Sequence, residues 1–389
     1  MMANTDVAYG QTTIPNGIRS RFVENVNGIT MHVLEAGFEE PGRPCILLLH
    51  GYPELAFSWR KQMLPLAAAG YHVVAPDHRG YGRSGGTDVT YDDSLWPWVL
   101  PNRVRDVLAL VYALGHRSVR MVVGHDFGAS VAAWAALIRP DVFESLVLMT
   151  GPFEGAPAMP FNTANEPAKP APSGPTVHDD LAALPRPRKH YHWYNARREA
   201  NAEWVGAKQG IHDFLRAYYH VKSADWKGNH PHPLTAFSAT ELAKMPRYYV
   251  MDLDKTMPEN VALDMPTPEE IAGNRWLTDE ELRVCSDEYT RTGFQGGLNS
   301  YRLQTDPAYT AELRLYSDRT IDVPSLFISG TSDWGVYQRA GRLEAMRDKI
   351  CTDFRGVHLL EGAGHWVQQE QPDAVNELLL GHLRRTSAE

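Results

Sequence analysis

A chain of 389 residues, 43% hydrophobic and 22% charged, has the profile of a globular protein. It is long enough for two ordinary domains or for one large core carrying an insertion. A net charge of −9 without a basic cluster argues against nucleic acid or an anionic membrane as partner, and no apolar run approaches the roughly 20 residues that span a bilayer. The three distant cysteines, Cys45, Cys285 and Cys351, make neither a disulfide framework nor a zinc set, and residues 1–19 lack the blocks of a secretory signal, so a cytoplasmic location is expected.

Residues 21–150 alternate short apolar runs with amphipathic stretches, the rhythm of βα units on a mostly parallel sheet. In chain order this predicts a strand at Cys45–Leu49, a helix over 59–69 ended by Gly70, and a strand at 71–75. A helix over 103–114, a strand at 119–123, a helix over 129–138 and a strand at Leu146–Met149 follow. Residues 152–188 are rich in proline, from Pro152 to Pro175, and read as an irregular connection. From about 189 to 318 the pattern is helical and aromatic, without a clear strand. The βα rhythm returns with a strand at 324–329, a helix near 338–348, a strand near 357–360 and a helix over 373–384. The expected organisation is an α/β core formed by 1–151 and 321–389, with a mainly helical lid at 152–320. Such a lid would cover the carboxyl ends of the strands, where open α/β sheets bind ligands.

Gly124-His125-Asp126-Phe127-Gly128 lies between a predicted strand and a predicted helix and has the form of a nucleophile elbow, with Asp where Ser is usual. An aspartate N-cap on a glycine-bounded turn would look the same, so the motif needs partners to carry chemistry. A carboxylate is ionised at pH 7 and needs no base to become a nucleophile. Its attack on an ester would form a mixed anhydride, whereas attack on saturated carbon forms an alkyl ester that water can cleave. An Asp elbow therefore favours epoxides or carbon–halogen bonds.

Where such an elbow serves a triad, the chain order is nucleophile, acid, histidine. Asp333 follows the strand at 324–329 in Gly330-Thr331-Ser332-Asp333-Trp334, and His365 follows the last strand in Gly362-Ala363-Gly364-His365-Trp366. His365 would take a proton from water while Asp333 fixes its tautomer. Glu154, just after the strand at Leu146–Met149, is the other candidate acid. His50-Gly51-Tyr52-Pro53-Glu54 occupies the loop that supplies one oxyanion amide, which assigns the Tyr52 and Phe127 N–H groups to that role. Pro53 is a candidate cis-proline.

These segments, together with Asp77-His78-Arg79-Gly80-Tyr81-Gly82-Arg83-Ser84, closely resemble the epoxide hydrolases of the α/β-hydrolase superfamily from about residue 20 to 384. The resemblance implies an α/β-hydrolase fold without cofactor or metal, and two lid tyrosines that protonate the opening epoxide. Tyr301, in Gly293-Phe294-Gln295-Gly296-Gly297-Leu298-Asn299-Ser300-Tyr301-Arg302, matches the second of these, and Tyr191, in Tyr191-His192-Trp193-Tyr194, matches the first. Tyr194, Tyr218 and Tyr219 stay open as alternatives to Tyr191. His50, Pro53, Trp193, Trp334 and Trp366 are the expected substrate-binding residues, around an apolar epoxide of moderate size.

The chain departs from the family pattern in having Phe127 and Ser300 where tryptophans are common, and in a longer insertion. Haloalkane dehalogenases share the triad but bind halide with the tryptophan that Phe127 replaces and often with an asparagine at the place of Tyr52. Fluoroacetate dehalogenases tend to carry arginine after the nucleophile, which is also missing. A ligand-binding receptor on the same fold is the reading from another class, and it would not need Asp126, Asp333 and His365 together. His190/His192 and His230/His232 look like metal pairs, but nothing converges on them as a closed site requires. The oligomeric state stays open, a homodimer being compatible with the sequence.

Overall fold

A computed structural model of the chain describes residues 9, 10, 12–159 and 176–387. The chain opens with an antiparallel hairpin, β1 (Ile18–Val26) and β2 (Ile29–Ala36), where the sequence reading saw only βα rhythm. Its two-residue turn is Asn27-Gly28, with φ of 46° and 82°. Asn-Gly suits the primed turn that matches strand twist, so the hairpin signal was present and went unread. The main sheet continues through β3 (Cys45–Leu49), β4 (His72–Pro76), β5 (Val119–His125) and β6 (Leu146–Met149). Two lid strands, β7 (Arg188–His190) and β8 (Val250–Asp252), then precede β9 (Ser325–Gly330) and β10 (Phe354–Leu360).

The eight-stranded order is β1-β2-β4-β3-β5-β6-β9-β10, parallel from β4 to β10 and antiparallel at the hairpin edge. Strand β3 is buried along its whole length because helices cover both faces of the sheet. Its side chains alternate between two apolar clusters, Ile46 and Leu48 in one, Cys45, Leu47 and Leu49 in the other. The first cluster runs on into the lid through Tyr191, Tyr218 and Leu298, so core and lid share one hydrophobic interior.

Several boundaries differ from expectation for local reasons. The helix expected at 103 begins at Leu100, because Pro101 sits in the first turn, where a missing N–H costs nothing. The helix expected over 338–348 is a single turn, Arg342–Ala345, followed by a π-turn, Met346–Ile350. Of the expected irregular connection, residues 160–175 lie outside the described residues. The stretch after them contains a helix, Val177–Ala182, closed at its start by a capping box between Thr176 and Asp179. The same device, with Glu, starts lid helices at Thr256, Thr267 and Thr278. The antiparallel pair β7–β8 interrupts a lid expected to be helical, and three residues a strand are too few to show a period. Among the described residues no helix is long and apolar enough to cross a membrane.

Arg60, in the core helix Arg60–Ala68, ties core to lid. Its guanidinium lies 2.9 Å from Glu281 Oε1 and donates to the Trp276 carbonyl at 3.1 Å and to Gln369 Oε1 at 2.8 Å. The Arg60 side chain is 1% exposed, so removing it deprives a mostly desolvated carboxylate of its cation and Gln369 Oε1 of its donor, while the Trp276 carbonyl keeps Lys61 Nζ at 2.9 Å. Arg60→Met is expected to lower the unfolding free energy by about 3 kcal/mol in urea titrations. A loss below about 1 kcal/mol, the size of a surface pair, would show that this contact does not hold the lid.

Candidate active site

Strand β5 ends at His125 and the next helix, Phe127–Ile138, starts two residues on, so Asp126 alone makes the turn, at φ 51° and ψ −117°. A residue held in so sparse a region costs on the order of 1–3 kcal/mol and persists only where its surroundings enforce it. They do so by close approach of backbone. A Cβ on Gly124 would meet the Gly128 carbonyl oxygen at 2.3 Å, and one on Gly128 would meet the Leu49 carbonyl oxygen at 2.2 Å. Gly51 is fixed in the same way, since a Cβ there would lie 2.4 Å from that of Asp126. The elbow therefore stands at the meeting of β3, β5 and the helix, above the sheet's carboxyl edge.

The Tyr52 N–H donates to Asp126 Oδ1 at 3.0 Å, and His365 Nε2 lies 3.6 Å from Asp126 Oδ2. On the other side of the imidazole, Nδ1 is 3.3 Å from Asp333 Oδ1. Asp333 also accepts from the Gly335 N–H at 2.7 Å and the Ser329 hydroxyl at 2.9 Å. Burial by itself would raise the Asp126 carboxyl. The bond and charge of His365, with Lys222 and His125 behind it, hold it well below the usual carboxylate range. The same opposition keeps Asp333 low, with His365 and the Gly335 amide outweighing burial.

Beneath the triad lies a second set of buried polar groups. His125 Nδ1 is 2.6 Å from Glu54 Oε2, and its Nε2–H donates to the His365 carbonyl at 2.7 Å. Burial would keep His125 neutral, but Glu54 lifts its pKa, and Glu54 is lowered in return despite its own burial. Glu370 gathers the loop that carries His365, accepting from the Gly364 N–H at 2.9 Å, the Trp366 N–H at 2.9 Å and, from the lid, the Ala224 N–H at 2.8 Å. The Lys222 carbonyl accepts from the His365 N–H at 2.8 Å, while its ammonium lies against the Tyr218, Tyr249 and Trp366 rings at 5.3, 5.2 and 5.3 Å.

A cavity of about 380 Å³ opens over Asp126, and its lining includes Phe127, His365, Tyr191 and Tyr301. The Tyr191 and Tyr301 rings are 5.8 Å apart, and Tyr301 packs edge-on against Phe127 at 4.8 Å. Tyr191 donates to Gln338 Oε1 at 3.3 Å. Burial pushes both phenols above their usual pKa, so both stay protonated. The three other tyrosines weighed from the sequence do not line this cavity, and Tyr219 donates instead to the Pro53 carbonyl at 3.0 Å.

Of the residues expected to bind substrate, only Trp193 lines the cavity. His50 is fully buried one layer below, its Nε2 accepting from the His78 N–H at 3.0 Å and its Nδ1–H donating to the Gly51 carbonyl at 2.8 Å. Pro53 follows a cis peptide bond and shapes the loop. Trp366 stacks on Tyr219 at 4.3 Å and Trp334 packs near His232 at 5.0 Å, both buried away from the cavity. Glu154 sits on the cavity rim with Arg339 and Arg342, 3.3 and 2.8 Å away, and not beside His365. Sequence reasoning passed over Glu54, Lys222 and Glu370, whose roles come from partners more than a hundred residues away or from depth in the core. It also passed over Gln338, Arg339 and Arg342.

Residues 46–378 match the alpha/beta hydrolase family. Epoxide hydrolase A of Mycobacterium tuberculosis is 31% identical over 363 residues, 92% of this chain and 95% of that enzyme. The epoxide hydrolase of Caballeronia sordidicola is 31% identical over 93% of both chains. This chain belongs to the epoxide hydrolase family of the α/β-hydrolase superfamily. Family members of known structure overlay along nearly the whole length. An epoxide hydrolase from an endophytic Streptomyces gives a TM-score of 0.72 at 31% identity, covering 95% of this chain and 96% of its own. A mutant of potato epoxide hydrolase gives 0.70 at 27% identity, covering 95% and 99%.

The Glu54–His125 pair makes a stability prediction with a definite pH window. The lowered carboxyl contributes stability above its ordinary pKa, lost as pH falls, and the raised imidazolium contributes below its ordinary pKa, lost as pH rises through its folded value. Glu54→Gln leaves the pair broken, and is expected to cost about 3 kcal/mol in urea unfolding near pH 6. The deficit should shrink toward alkaline pH as wild-type His125 loses its proton, and an equal deficit at every pH would contradict the charged pair.

Proposed function

We propose that this epoxide hydrolase converts its substrate to a vicinal diol through an ester on Asp126. The observation that carries the reading is the common cavity, in which an ionised carboxylate at a strained elbow shares its space with two protonated phenols. One carboxylate oxygen attacks a ring carbon and forms a C–O bond as the ring C–O bond breaks. The oxygen released is an alkoxide, far more basic than a phenolate, and Tyr191 or Tyr301 supplies its proton. A water near His365 then loses a proton to Nε2, and the hydroxide attacks the ester carbonyl carbon. Asp333 holds the imidazole and stabilises the imidazolium. The Tyr52 amide, which already donates to Asp126 Oδ1, stabilises the tetrahedral oxyanion together with the Phe127 amide. Collapse frees the diol, leaves a solvent oxygen in the Asp126 carboxylate, and returns the proton from His365 to the tyrosinate. Neither a metal nor an organic cofactor has a step in this scheme.

A single turnover of styrene oxide by excess enzyme in oxygen-18 water tests the ester. Label is expected in the Asp126 peptide, with mostly unlabelled diol. Labelled diol from an unlabelled peptide would mean direct attack by water and would remove Asp126 from its role. His365→Gln should accumulate the ester, seen as a gain of one epoxide mass in the intact protein. Because Asp126 stays ionised well below its ordinary pKa, the rate of ester formation is expected to hold between pH 8 and about pH 5. A fall along a titration in that interval would show that the nucleophile is not held in its ionised form. Tyr191→Phe and Tyr301→Phe are each expected to cut kcat/KM about tenfold, and the double variant about 1,000-fold, in line with general acid catalysis. Full activity in the double variant would leave the proton donor elsewhere.

A further inference from the structure

Beside the cavity over Asp126 lies a second, smaller one of about 60 Å³. It sits between the core helix Leu100–Ala113, the elbow helix Phe127–Ile138 and the lid helix Gln295–Thr305. Trp98, Leu303 and Tyr309 give it apolar walls, and Ser130, Ser300 and Thr310 give it hydroxyls. Among the described residues no carboxylate lines it, and Arg103 brings the one charge.

Arg103 is 5% exposed. Its Nη1 donates to Ser300 Oγ at 3.2 Å, and its Nη2 is buried with no hydrogen-bond partner among the described residues. No described carboxylate forms an ion pair with it, and the two acids whose charge it feels are committed elsewhere. Asp106 is held by Arg79 Nε at 2.9 Å and Asn27 Nδ2 at 2.7 Å, and Asp126 by the Tyr52 amide and His365. Arg79 adds a repulsion of its own. Burial pushes the Arg103 pKa down, but a guanidinium keeps its proton at any physiological pH. A buried cation left without a counter-charge is strongly unfavourable.

We propose that the cavity beside Arg103 is a binding site for a small inorganic monoanion of the halide class. One guanidinium calls for one negative charge, and the hydroxyls of Ser130, Ser300 and Thr310 can donate to it. The volume exceeds the ~15 Å³ that suffices for one water and falls far short of the roughly 300 Å³ of a small-molecule pocket. That excludes an organic substrate and leaves an ion. Bound there, it joins core to lid, because Arg103 belongs to the core helix and Ser300, next to Tyr301, to the lid helix. The site has no step in the ester scheme, so its test needs no turnover.

Thermal unfolding of the full chain is followed at a constant ionic strength of about 0.2 M, with sodium gluconate exchanged stepwise for sodium chloride. Gluconate is too large for the cavity. The R103M variant carries the general salt effect without the cation and serves as the reference. Relative to it, the wild-type Tm is expected to rise saturably with chloride, by about 3 °C at full exchange. Equal responses of the two proteins would overturn the proposal. Should R103M not fold, the chloride-35 resonance decides with wild type alone. The protein is expected to broaden that line saturably, and bromide to reverse the broadening by taking the same place. A line width that bromide leaves unchanged would sink the site.

Discussion

Everything at the site is referred to one crowded point in the backbone, where β5 gives way to a helix through a single residue. Three segments come so near each other there that glycine is the residue that fits at positions 51, 124 and 128. Asp126 is then left with a torsion that its own chain would not choose. The energy of that turn is drawn from the packing of a sheet buried on both faces. In return the carboxylate stands clear of its backbone, over the strand ends, with a peptide N–H already directed at it.

Around that point the ionisable groups are paired with depth. Asp126 faces His365, which faces Asp333; below them His125 faces Glu54; and Lys222 stands among aromatic rings with carboxylates in range. Glu54, Asp126 and Asp333 are each buried where isolation would neutralise them, and each is kept ionised by its charged or hydrogen-bonding neighbours. The arrangement is cooperative for that reason. Deleting a single member leaves an unmatched charge in a low-dielectric interior, while the cavity above keeps two phenols neutral through desolvation first, with the Asp126 charge adding to it.

The core was legible because its strands are short apolar runs and the residues expected at its site sit in glycine-marked loops. Cys45–Leu49 and Leu146–Met149 have the same bounds in the structure as in the sequence reading. Asp126, Asp333 and His365 come together from three such loops. The lid was less legible. Strands of three residues carry no period, and a tyrosine facing a cavity looks the same in sequence as one facing the core. Trp334 and Trp366 illustrate the second point, since their place beside Asp333 and His365 suggested contact with substrate while packing turned them inward. Arg339 and Arg342 lie near a helix expected from its pattern and observed as one turn, so periodicity did not put them on the cavity wall.

The loop bearing His365 is not held by the core alone. Its backbone N–H is bound by the Lys222 carbonyl, and Glu370 clasps the same loop together with the amide of Ala224, both from the lid. His365 is thus moored to the cover. A swing of the segment from 222 to 224 would pull on the anchorage of the His365 imidazole and draw the Lys222 charge away from Asp126, whose backbone rests on the sheet. In the proposed two-step reaction, capture of the substrate would then rest on the rigid floor and release of the product on the seating of the roof.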